Sequence, residues 1–134
     1  MKKLYYSAFI SAIIGLALGV FYREYTKLGG FTGVTTLSLL HVHTLVLGCL
    51  FFLIVLALDK LFALTNQRQF LAWFICYHIG LWGLVITLAI RGIMQVNGTD
   101  MIGFNHIAGT FHTILGIGLI WFFLLLNRAI KTEH

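Results

Sequence analysis

Apolar and polar positions in this chain alternate over whole helices, not over single turns. Charged residues cut the sequence into four long apolar runs, Leu4–Tyr22, Leu28–Leu58, Gln69–Ile90 and Met101–Asn127. Crossing ~30 Å of hydrocarbon as a helix takes about 20 residues, so each run suffices for one passage. The pattern predicts an all-α integral membrane four-helix bundle, a single domain over 1–134 with spans at about 4–22, 35–58, 70–91 and 103–127. Four spans leave almost no chain for a soluble part.

Composition agrees with a lipid solvent. Apolar residues make up 60% of the chain, charged ones 10%, and there is no proline; the mean hydropathy is +0.96, outside the range of an ordinary soluble domain. Two lysines before an apolar run also open secretory signals, but no Ala-x-Ala precedes the Arg23-Glu24 break. Instead Ser7, Ser11, Gly15 and Gly19 form a small-residue stripe of the kind that lets helices approach closely in lipid, and the run reads as a retained first span. Placing the amino terminus inside puts Lys2, Lys3, Lys60, Arg68, Arg128 and Lys131 in the cytoplasm and leaves Arg23, Lys27 and Arg91 outside. The excess of inside cations orients both termini to the cytoplasm of a bacterial cell membrane. The net charge of +5 then reflects this bias and attraction to anionic headgroups, and no basic run supports nucleic-acid binding. Cys49 and Cys76 lie mid-run without C-x-x-C spacing and read as small buried hydrophobes. Gly116 and Gly118, also mid-span, read as helix packing.

The histidines are what this apolar background does not explain. His41 and His43 lie in a stretch without a charged residue, where a hydrogen-bonding, titratable side chain is costly unless it has a partner. Two residues on a helix are rotated by about 200°, so these rings face different neighbours. Neutral imidazole is the commonest metal ligand, which points to heme iron or another transition metal. Counted from Thr35, His41 and His43 lie roughly 9–12 Å deep; counted from Gly103, His106 lies roughly 5 Å and His112 about 14 Å deep. His78 enters from the opposite side and ends below the midplane. Arg91 closes the third span where a cation meets heme propionates, and Thr44, Asn105, Thr110 and Thr113 add polar groups that a ligand's supporting layer requires. His134 is terminal and has no assigned role.

The stretch Leu40-His41-Val42-His43-Thr44-Leu45-Val46-Leu47-Gly48 resembles the His-x-His helix of subunit I of heme-copper oxidases, in which the two histidines ligate different hemes. The whole chain is similar to a small, functionally unassigned family of four-span bacterial membrane proteins. That oxidase subunit has twelve helices in three four-helix arcs, so the resemblance implies that three copies of this chain form a homotrimer mimicking the twelve-helix ring. It further implies that His41 of one subunit pairs with His43 of the next across heme b. The oxidase's adjacent His-His pair and its histidine-tyrosine cross-link site have no counterpart, since Tyr77 and His78 are sequence neighbours. Oxygen reduction is therefore not expected, and bis-histidine ligation favours one-electron transfer, with a membrane quinone or an external electron carrier as redox partner.

Two other function classes fit the same residues. In one, the histidines hold copper or zinc directly. In the other, they are packing residues bonded across helices. A gas-binding or gas-sensing heme is a variant of the first assignment.

Overall fold

The computed structural model describes residues 1–99, 101 and 103–132, so His134 lies outside it. Four helices are long and apolar enough to cross a membrane: α1 (Lys2–Leu28), α2 (Leu37–Phe62), α3 (Phe70–Val96) and α4 (Phe104–Thr132). Among the described residues there is no strand. Each helix runs about a turn beyond its apolar run at the carboxyl side. A helix satisfies its own backbone and continues through the headgroup layer.

The helices alternate in direction, so both termini lie at one end, here termed the terminal end. At that end α2 stops at Ala63, whose left-handed conformation (φ 46°, ψ 43°) costs a non-glycine residue roughly 1–2 kcal/mol. Hydrogen bonds around Asp59 offset this. Its carboxylate accepts the Thr65 N–H at 2.7 Å and the Thr65 hydroxyl at 3.2 Å, and stands 3.6 Å from the amino-terminal ammonium. Arg128 donates to Gln69 Oε1 at 2.7 Å, tying the end of α4 to the start of α3. At the far end, α2 is fastened to α3 before its first turn. Thr35 Oγ1 donates to Gly92 O at 2.9 Å, Thr36 Oγ1 to Leu88 O at 2.9 Å, and Gln95 Oε1 accepts the Thr36 N–H at 2.8 Å.

Laterally the helices form an arc: α1 packs chiefly on α2, α2 on α3, and α3 on α4. The small-residue stripe of α1 is the first seam. A Cβ on Gly48 would stand 2.6 Å from Ser11 Oγ, one on Gly15 would stand 2.8 Å from Leu45, and Gly19 faces His41. The α3–α4 seam uses the same device, with Gly80 against the Leu115 backbone, Gly83 under the Phe111 ring and Gly118 against Tyr77. Lipid tails are as apolar as leucine, so backbone closeness and dispersion, not water exclusion, hold these helices together. Phe51, Phe52, Trp73, Tyr77 and Phe122 fill the terminal half as one aromatic cluster. Cys49 and Cys76 are free and half-buried, not fully buried.

The second span is not a uniform α-helix. Leu37–His43 and Phe51–Phe62 are α-helical, but Thr44–Leu50 between them winds as a π-helix, an uncommon form that is frequent at functional sites.

Enlarging Gly48 tests the first seam. Gly48→Leu should lower stability by about 1–3 kcal/mol through overpacking, whereas Gly116→Ala, with nothing within 4 Å of its added Cβ, should leave stability unchanged. Unfolding in micelles measures both.

Candidate functional site

The close contacts fix the depth of each histidine. Gly92 against Leu37 and Gly48 against Leu81 bracket His43 on α2. Gly83 against Phe111 and Gly80 against Leu115 bracket His112 on α4. The two residues therefore lie about one turn of α3 apart in height, roughly 5 Å at 1.5 Å per residue. The terminal half of α2 meets α4 at Phe51 and Phe122, whose ring centres are 5.3 Å apart. Toward the far end the two helices each rest chiefly on α3 and little on one another. They leave a groove with α3 as its floor, and His43 and His112 face each other across it. Their ring centres are 6.2 Å apart and their planes are perpendicular, at 89°.

Both rings bond a carbonyl four residues back on their own helix. His43 Nδ1 lies 2.9 Å from Leu39 O and His112 Nδ1 lies 2.9 Å from Ala108 O. A carbonyl only accepts, so each neutral ring carries its proton on Nδ1 and presents Nε2 as a lone pair. Such a bond to the outer nitrogen fixes the tautomer and raises the basicity of the ligating one. His43 is half-buried and His112 is exposed on the groove's flank.

His78 shares the first half of this arrangement and not the second. Its Nδ1 bonds Phe74 O at 2.9 Å, but its Nε2 is 3.1 Å from Ser7 Oγ, and Phe52 stacks on the ring at 4.7 Å. With both nitrogens satisfied, it fastens α1 to α3 in the terminal half. His41 is on the opposite flank of α2 from His43, against Gly19 of α1. Its Nδ1 is the only buried side-chain nitrogen or oxygen without a hydrogen-bond partner among the described residues. Such an orphaned group costs about 1–3 kcal/mol.

The remaining site residues lie apart from the groove pair. His106, six residues from His112, is exposed about 9 Å nearer the far end. Arg91 is half-buried near the end of α3, at a depth similar to that of His106. Thr44, Thr110 and Thr113 do not support the rings. Their hydroxyls return to Leu40 O at 2.7 Å, His106 O at 3.0 Å and Gly109 O at 2.9 Å, each on its own helix. Within one chain the structure thus brings together His43 and His112, and separates His41, His106 and Arg91 from them.

Sequence reasoning missed Tyr77 and Trp73 as polar elements. Trp73 Nε1 donates to Gly118 O at 2.8 Å and the Tyr77 hydroxyl to Leu47 O at 3.0 Å. The signal was available, because a buried indole or phenol in an apolar span needs an acceptor. The π-helical turn left no such signal.

The family model described as "Protein of unknown function (DUF2871)" matches residues 1–129, and the chain belongs to that family. No curated protein and no solved structure matches it.

The assignment of His78 to helix packing is tested by a double-mutant cycle. Ser7→Ala and His78→Ala should couple by about 0.6 kcal/mol in micelle unfolding, the order of a cross-helix bond in a bilayer. Zero coupling would contradict it.

Proposed function

We propose that this member of the DUF2871 family is a heme b-binding membrane protein that transfers single electrons, with His43 and His112 as the iron ligands. The observation that carries this reading is the facing pair of imidazoles. The ring centres stand 6.2 Å apart, close enough that both Nε2 atoms would reach one ion at about 2.0–2.1 Å each. Both Nδ1 atoms are anchored on carbonyls, which leaves each Nε2 as the lone pair of a neutral ring. A heme held by two histidines supplies one-electron chemistry without an open coordination position.

Ligand number favours heme over a bare ion. Zinc sites built from protein take three or four protein ligands, and among the described residues no group of three His, Cys, Asp or Glu comes together. A porphyrin brings its own four nitrogens, so two histidines suffice. Arg91 stands about 11 Å toward the far end from the level of the pair, on the side where a cation serves propionates. His41 belongs to the other flank of α2 and is not a ligand of this groove.

The groove's flank also asks for a cover. Asn105, His106 and His112 are exposed on α4, and polar groups at membrane depth are costly against lipid. Further copies of the chain, in the homotrimer that the oxidase resemblance implies, would shield them. Electrons would pass to a membrane quinone or an external carrier.

The protein purified from membranes supplied with heme should show sharp Soret and alpha bands on reduction, no shift with carbon monoxide, and a trimer in native mass spectrometry. His43→Ala and His112→Ala should each abolish the bands, while His41→Ala and His78→Ala keep them. A colourless preparation carrying stoichiometric copper or zinc would support direct metal binding instead. Retention of heme in His43→Ala with loss in His78→Ala would overturn the assignment.

A further inference from the structure

The register change in α2 begins at the residue after His43, and one side chain of another helix bonds within it. The Phe51 N–H bonds Val46 O and Gly48 O, passing over Leu47 O, its partner in a regular α-helix. A carbonyl passed over by its α-helical donor is open to another, and in hydrocarbon an added donor is favourable. Tyr77 of α3 meets that demand, donating its hydroxyl to Leu47 O at 3.0 Å. The tyrosine is fully buried and stacks on Phe51 at 4.6 Å with an 18° tilt. On its other side Gly118 makes room, since a Cβ there would stand 3.2 Å from the ring.

We propose that Tyr77 is a positioning residue for His43. By capping Leu47 O it stabilises the wide turn Thr44–Leu50 over an α-helical one, and so sets the rotation of Leu37–His43 that aims the imidazole at His112. Each residue of an α-helix advances the chain by about 100°, so a one-residue change of register in the turn rotates Leu37–His43 relative to Phe51–Phe62. Thr35, Thr36 and Gln95 hold the beginning of that segment on α3, and the turn completes its alignment at the His43 end. The spectroscopic part of the test rests on the heme assignment above; the geometric part does not.

Tyr77→Phe removes the donor and keeps the ring. In the heme-loaded protein, the low-spin EPR signal of perpendicular imidazoles should give way to the rhombic signal of rings closer to parallel, with heme content retained. Phe51→Leu, which loosens the tyrosine without deleting its hydroxyl, should move the signal partway in the same direction. Ser7→Ala removes a different cross-helix bond and should leave the signal unchanged, which separates positioning from a general loss of stability. Independently of heme, His43→Cys with His112→Cys should be bridged by a short bis-thiosulfonate reagent at least tenfold faster with Tyr77 present than with Tyr77→Phe. If the wild type takes up no heme but bridging depends on Tyr77, the heme assignment fails and the positioning role stands. Equal bridging rates, or a wild-type EPR signal in Tyr77→Phe, would overturn the positioning role.

Discussion

In hydrocarbon every hydroxyl, indole and imidazole needs a partner inside the protein, and this structure is organised by how that demand is met. The threonines at 44, 87, 110 and 113 return their hydroxyls to the carbonyl four residues back. Trp73 and Tyr77 reach across to carbonyls of neighbouring helices, and Ser7 and His78 satisfy each other. What these bonds leave open is concentrated on α2 and α4 beyond the aromatic cluster. There the His43 and His112 rings meet edge to face, and on the opposite flank of α2 the His41 Nδ1 is sealed without a partner. The aromatic cluster and its cross-helix bonds fill the terminal half, while the histidine pair and the orphaned His41 Nδ1 lie in the far half.

Close backbone approach decides where that opening lies. Gly15 and Gly48 bring α1 onto α2, and Gly80, Gly83 and Gly118 bring α4 onto α3. Since α2 and α4 both lean on α3, the bulk of Phe51 and Phe122 at one end and the absence of such a contact toward the other make a groove. The π-helical turn then sets which face of α2 looks into it. Ligand posture, groove and turn are linked through Tyr77, which touches Gly118 of α4 and the Leu47 carbonyl of α2 at once.

Much of the fold was legible in the sequence because hydrocarbon is an exacting solvent. Charges alone located the four helices, and the spacing of Ser7, Ser11, Gly15 and Gly19 announced a close helix approach, which Gly48, Leu45 and His41 of α2 and His78 of α3 complete. Depth counting at 1.5 Å per residue put His43 and His112 within a few ångströms of each other in height and His78 in the other half, as the contacts now place them. The partner of His43 was not legible, because rotation about the helix axis depends on the π-helical turn, which no residue pattern marks. The supporting roles expected of Thr44, Thr110 and Thr113 failed for a general reason: in lipid a hydroxyl's nearest acceptor is its own helix. Trimer formation and redox partners depend on surfaces meeting other molecules, which one chain does not contain.

Solid-state ¹⁵N NMR of histidine-labelled protein in lipid, before and after heme is added, tests the central claim most directly. The account predicts that His43 and His112 carry their proton on Nδ1 throughout and that their Nε2 signals alone are displaced or broadened by the iron, while those of His78 stay at the position of a hydrogen-bonded neutral ring. Unmoved Nε2 signals for His43 and His112, or displacement of His78 in their place, would contradict it.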